Sequence, residues 1–338
     1  VPMDIRVAAV LGVCLLSSTA WSAEKRLDRT FAVTPGGTLT VGASGSDITV
    51  TGTDANQVIV QIVATGSQGS LDEMTLSAEQ TAGGVAVTEK HRDGGWFGGL
   101  WSTRHVDSAI TVKVPRRYNI DLKTSGGDLV VTQLQGDALG KTAGGDIRVS
   151  QVRGPVRMRT SGGNVTIEDI HGEADVRTSG GDIVVSSVNG STDVGTSGGS
   201  IRLTSIVGAT QADTSSGDVI AASIRGNVDL NTSGGDIAAA AIDGKIRTRT
   251  SGGNITAELI GANRGISASS SGGNIVLRVS KNITADLNAS NSGGSISSDL
   301  SVGARQAGKT KLNGAINGGG ATIRAHTSGG DIKLQVRD

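Results

Sequence analysis

Thr178-Ser-Gly-Gly-Asp-Ile-Val-Val-Ser-Ser-Val-Asn-Gly-Ser-Thr-Asp-Val-Gly195 is one unit of a repeat whose reading decides the fold. The second glycine of its Gly-Gly pair, Gly181, recurs as Gly127, Gly145, Gly163, Gly199, Gly217, Gly235 and Gly253, at seven consecutive intervals of 18 residues. A fixed short period marks a structural unit stacked on copies of itself. Within the unit, Ile183 and Val185 alternate with Asp182 and Val184, and Val194 follows after Asn189-Gly190. Period-two alternation of β-branched residues, broken twice by glycine, reads as two short strands and two corners. The strands are expected near 182–186 and 191–196, with corners at Ser179-Gly180-Gly181 and Val188-Asn189-Gly190.

One such unit has too little apolar surface to fold alone, whereas stacked units pair strands about 4.8 Å apart over a continuous aliphatic core. The sequence therefore predicts an all-β β-solenoid with 18 residues per coil, some 11 or 12 coils and a rod on the order of 55 Å long. A helical reading fails, since a Gly-Gly pair in every unit would interrupt each helix after a few turns. The paired glycines are expected to supply positive φ at sharp corners. The following Asp or Asn (Asp128, Asp146, Asn164, Asp182, Asp218, Asp236, Asn254, Asn274) is expected to accept hydrogen bonds from its own turn and to form a ladder. A calcium reading of that ladder is weaker, because the Gly-Gly-x-Gly-x-Asp order is absent and Asn or Ser often replaces Asp.

The chain divides into residues 1–22, 23–122 and 123–338. Val7 to Ala20 is an apolar run behind Arg6, ending in Ser17-Ser18-Thr19-Ala20, and reads as a signal peptide cleaved after Ser22. A lipid anchor on Cys14, the only cysteine, is disfavoured by Val13 at the preceding position. The expected protein is thus exported (periplasmic, cell-surface or secreted) and free of disulfides. Residues 23–122 read as less regular β coils and a cap, with Ser44-Gly45-Ser46-Asp47-Ile48 as a degenerate signature; a separate small β-sandwich is the alternative. Beyond Gly253 the spacing loosens to 20 and 21 residues, and Gly294 to Gly330 spans 36, read as two periods in succession.

Thirty-one basic and 31 acidic residues leave no net charge and no footprint for nucleic acid. Arg157, Arg159, Arg177, Arg247 and Arg249 share outward strand positions with Asp175, Asp193 and Asp229, which reads as a mixed-charge face. Aromatic residues make up 2% of the chain, and a narrow solenoid interior is expected to have no room for rings. The four histidines show no metal-ligand spacing, no catalytic constellation is visible, and no cofactor is implied. The exception to this blandness is Gly94-Gly95-Trp96-Phe97-Gly98-Gly99-Leu100-Trp101. Trp96, Phe97, Leu100 and Trp101 form either a cap over the rod or a contact patch for a partner, with Arg92, Arg104 and His105 beside them.

The leader, the β-rich lead-in and the Thr-Ser-Gly-Gly-Asp-Ile coils resemble the bacterial putative-adhesin family of unknown function. The stretch from Ile110-Thr-Val-Lys-Val-Pro115 through Leu122-Lys-Thr-Ser-Gly-Gly-Asp128 is particularly similar, and the resemblance spans roughly residues 30–338. It implies a β-solenoid in the cell envelope and transfers no catalytic residue. The expected function is a non-enzymatic adhesion or envelope-scaffold module whose partner is a glycan, an envelope component or a membrane surface. A polysaccharide-active enzyme on the same fold and a membrane-associated envelope-stress accessory protein are the alternatives.

Overall fold

The computed structural model describes residues 23–91 and 106–337. The expected leader at 1–22 lies outside these residues, as do Trp96, Phe97, Leu100 and Trp101 with their neighbours Arg92, Arg104 and His105. The described chain is a β-solenoid of two long sheets joined coil by coil, with one short helix, Gln68–Asp72.

Each regular coil contributes a seven-residue strand to one sheet and a four-residue strand to the other, as in Ile183–Asn189 and Thr192–Gly195. Successive coils pair in parallel at an offset of 18, so that Val165, Ile183, Ile201 and Val219 lie in one column, all fully buried. Each such side chain contributes about 1.5–3 kcal/mol by leaving water. The long strand does not keep strict alternation. Ile183, Val185 and then Val188 point inward, because Ser187 adopts a left-handed conformation with φ 56° and shifts the phase by one residue. Gln133, Gln151, Asp169, Ser205, Ser223 and Ala241 repeat that conformation, one per coil. The expected corner at Val188 is therefore an extension of the strand beyond a bend.

The glycine signature has a different cause from the one expected. Gly181 does not have positive φ. A Cβ placed on it would lie 2.1 Å from the carbonyl oxygen of Gly163, one coil back, so its constraint is close stacking of backbones. The first glycine of the pair is roomier, with nothing nearer than 3.6 Å to a Cβ on Gly180, and Ser216 occupies that slot two coils further on. Thr178 supplies the bond between coils: its hydroxyl donates to the Gly163 carbonyl at 2.9 Å and accepts from the Gly181 N–H at 3.3 Å. Thr142, Thr160, Thr196, Thr214, Thr232, Thr250, Ser270 and Thr327 repeat the donation.

The Asp/Asn ladder exists, but its bonds run between coils and not within a turn. Asp128 accepts from the N–H of Asp146, Asp146 from Asn164 and Asn164 from Asp182. At its far end Asp331 accepts from both the N–H and the hydroxyl of Ser295, and these bonds hold its carboxyl below the usual carboxylate range.

Stack order departs from chain order at both ends. Thr38–Gly42 and Asp47–Thr53 pair on one side with Asn119–Lys123 and Leu129–Gln135. Their other side takes Gly84–His91 and Asp107–Pro115, so a coil later in sequence lies beneath an earlier one. At the opposite end, Thr322–Thr327 and Ile332–Val336 slot between the coil of Ile266–Ser270 and Ile275–Val279 and that of Ala285–Asn291 and Ile296–Ser298. The two periods read between Gly294 and Gly330 are thus not consecutive coils. Gly330 stacks on Gly273, and Gly294 stacks on Gly330. Among the described residues, thirteen strands of each sheet run parallel, giving a rod roughly 60 Å long.

Antiparallel strands close both ends: Ala23–Ala32, Gln57–Gly66 and Met74–Thr81 at one, Gly303–Ala307 and Lys311–Ile316 at the other. The edge strand Ala23–Ala32 carries alternating charges, and Lys25 turns inward to donate to the carbonyls of Leu71 and Met74 at 2.9 and 2.5 Å. Inward charge on an edge discourages pairing with another chain. Rings are not wholly excluded from the core. Tyr118 is buried against Gly37, where the absent Cβ makes space for it.

Candidate functional site

The bend created by the left-handed residues forms a long outer corner of the rod. Where its side chains are long, they line an open cleft of about 490 Å³ built from Asp54, Arg116, Gln133, Gln135, Gln151, Arg153, Asp169 and His171. Gln133, Gln151 and Asp169 stand at the bend itself, and Gln135, Arg153 and His171 follow two residues later in the same strands. The cleft is largely neutral. Arg116 donates to Asp54 at 2.7 Å, which lowers the Asp54 pKa and raises its own, and His171 Nε2 lies 3.6 Å from Asp169. Arg153 makes no ion pair or side-chain hydrogen bond with any described residue. Further along, the bend positions are Ser187, Ser205, Ser223 and Ala241, and the corner becomes a more apolar strip with Val207 and Ile260 exposed. Sequence reading missed this cleft. Its signal was present as inward residues spaced two and then three apart (Val149, Val152; Ile167, Ile170), which marks a phase shift before each bend.

The outer face of the short-strand sheet carries the expected mixed charge over part of its length. Arg159 pairs with Asp175 at 2.5 Å, Arg177 with Asp193 at 2.6 Å, and Arg157 lies 3.6 Å from Glu173. Beyond Asp229, which is 3.5 Å from Arg247, the face becomes cationic. Lys245, Arg247, Arg264 and Arg324 line a cleft of about 300 Å³ floored by Gly265, Ile266 and Ser267.

The four aromatic and apolar residues expected as a contact patch lie outside the described residues, so this geometry does not include them. Among the described residues, no group of three or more His, Cys, Asp or Glu is placed to hold a metal ion. His326 accepts or donates through Nδ1 to Ser290 at 3.0 Å, and His91 lies 3.6 Å from the buried Glu89.

The model of the family described as Toastrack DUF4097 matches residues 37–226 and 209–335, nearly the whole solenoid. The chain belongs to the Toastrack DUF4097 family. No curated protein matches it. Solved structures similar to this Toastrack chain include a "putative adhesin" from Parabacteroides distasonis, 13% identical, covering 91% of this chain and 97% of that one with a TM-score of 0.38. Another is a "putative lipid binding protein" from the same organism, at 14% identity, 91% and 96% coverage and a TM-score of 0.34. A "putative adhesin" from Bacteroides fragilis matches at 16% identity, 93% and 97% coverage and a TM-score of 0.27. These likenesses are too loose to carry a functional statement about this Toastrack chain.

Proposed function

We propose that this protein is a non-enzymatic binding module of the cell envelope that holds an extended glycan along its bend. The observation that carries the reading is the polar cleft at Gln133, Gln135, Gln151, Arg153, Asp169 and His171. Polar side chains there repeat from coil to coil, Gln133, Gln151 and Asp169 in one column and Gln135, Arg153 and His171 in the next, about 4.8 Å apart, a spacing close to that of sugar rings in an extended polysaccharide. Planar polar side chains on a fixed scaffold suit sugar hydroxyls, and the rigid rod makes the site preformed, which limits the entropy lost on binding. The leader-like residues 1–22 support export. No helix among the described residues is long and apolar enough to cross a membrane, which says nothing about strands. The aromatic stretch at 94–101 is proposed as a second contact element, stacking on sugar rings or entering a lipid interface.

A glycan array probed with the purified chain tests this reading. Binding to an extended polysaccharide, lost in Gln151→Ala/Arg153→Ala with an unchanged thermal midpoint, is the expected result. Equal binding by that variant would remove the cleft from the function. New reducing ends released from any bound polysaccharide would establish the enzymatic alternative instead.

A further inference from the structure

The cationic end of the short-strand face lies on a different face of the rod from the bend cleft. Its columns follow from strand register. Arg247 pairs with Ser267, and Ser267 with Arg324; one step along, Arg249 pairs with Ser269, and Ser269 with His326. Arginines therefore stand on one wall, Arg324 and His326 on the other, and two half-buried serines lie between them as a floor. The walls are two strand spacings apart, roughly 10 Å. Lys245 and Arg264 close the corner, with the Lys245 stem running beside Gly265, where a Cβ would come within 4.0 Å of Lys245 Cε.

Facing this notch are two carboxylates. Asp229 contacts Arg247 at 3.5 Å, and Asp286 lies on the strand beyond Thr322. Lys245, Arg249, Arg264 and Arg324 have no ion pair with any described residue. On the preceding part of the same face, by contrast, Arg159 and Arg177 each meet an aspartate at 2.6 Å or less. Gathering like charges around a small polar floor is unfavourable unless an anion enters. Guanidinium forks and serine hydroxyls together match the oxygen atoms of a tetrahedral phosphate.

We propose that the notch formed by Lys245, Arg247, Arg249, Arg264 and Arg324 over Ser267 and Ser269 binds a phosphate group. The group is borne on a lipid headgroup or on a soluble molecule, and the chemistry recognised is the same.

The test measures binding of the full chain at low ionic strength to two probes: inorganic pyrophosphate, and vesicles of phosphatidylglycerol in phosphatidylcholine. Pyrophosphate is expected to bind, and each of Arg247→Gln and Arg324→Gln to weaken it roughly tenfold, the loss of one charge-assisted hydrogen bond. Arg202→Gln, an exposed arginine on the long-strand sheet, is expected to change nothing, and circular dichroism checks that all variants keep the fold. Binding only by the phosphatidylglycerol vesicles assigns the phosphate to a headgroup, and binding by pyrophosphate assigns it to a soluble carrier; both support the site. The proposal is overturned if neither probe binds, if pure phosphatidylcholine vesicles bind as well, or if Arg247→Gln/Arg324→Gln binds as the parent does. An equal response to sodium chloride at matched ionic strength would overturn it too, because that is general screening of charge.

Discussion

Ser46 donates its hydroxyl to the buried carboxylate of Glu89. Ser46 occupies the slot that Gly127 and the later stacking glycines fill, as the pairing of Asp47 and Asp128 across the ladder shows. In the regular coils a carbonyl of the preceding Gly-Gly turn crowds this slot and admits no side chain. Here Ser108 is the residue aligned with Ser46 on the next strand, its hydroxyl 2.5 Å away, and the Glu89 carboxylate lies on the same Ser46 hydroxyl. Glu89→Ala is expected to lower stability by about 1.5–3 kcal/mol, the worth of a hydrogen bond to a charged group. Ser46→Gly is expected to cost more, since it leaves the buried Glu89 carboxylate, whose other oxygen has no hydrogen-bond partner, without its hydroxyl donor, whereas Ser46 in Glu89→Ala keeps Ser108. Thermal melts of the two variants check the order; equal midpoints would show that the carboxylate does not hold the end of the ladder.

Gly180→Ser and Gly181→Ala are a matched pair in one turn. The first is expected to stay within about 0.5 kcal/mol of the parent. The second forces Cβ against the Gly163 carbonyl and is expected to cost at least about 1–3 kcal/mol. Urea titration of both variants gives the comparison, and a tolerant Gly181 would mean that the coils can separate locally.

Ser187 holds a left-handed backbone that L-residues adopt at a cost of roughly 1–2 kcal/mol. Ser187→Gly is expected to raise the melting temperature slightly. Ser187→Val, β-branched and ill-suited to positive φ, is expected to lower it by several degrees. Opposite signs in differential scanning calorimetry would confirm the bend.

Acid should loosen the mixed-charge face before the core. Partial burial disfavours the charged form of Asp175, but the hydrogen bond from Arg159 and the fields of Arg159, Arg177 and Arg157 outweigh it and lower the pKa. Because the folded pKa lies below the unfolded one, the stabilisation is complete above about pH 4 and disappears as pH falls through the folded value. Asp175→Asn is expected to flatten the melting temperature between neutral pH and pH ~3 relative to the parent.

Much of the solenoid could be read from the sequence because each coil repeats its own local chemistry: Ile183, Val185 and Gly181 recur in place 18 residues on. What escaped reading arises from relations between coils. Thr178 looks like any turn threonine until Gly163 is placed beside it, and Gly181 needs no positive φ once that carbonyl is seen. Ser187 carries no compositional mark of a left-handed bend. The cationic notch was averaged away as mixed charge, because Arg324 is distant in sequence from Arg247 and reaches it only through a coil inserted out of order.

That insertion has a consequence for how the rod can be assembled. Ile332–Val336 enters between two strands already made, Ile275–Val279 and Ile296–Ser298, which have no direct pairing with each other. Until it arrives, both present unpaired edges, so the segment works as a keystone more than as a tail. Removing residues 322–338 would therefore not shorten the rod by one level. It would open a gap inside it and cut the Ala285–Ile316 end free, exposing two sticky edges while every preceding coil stayed intact. Synthesis from the N-terminus delivers this keystone after the strands it joins, so the gap it fills closes only once both neighbours have been made.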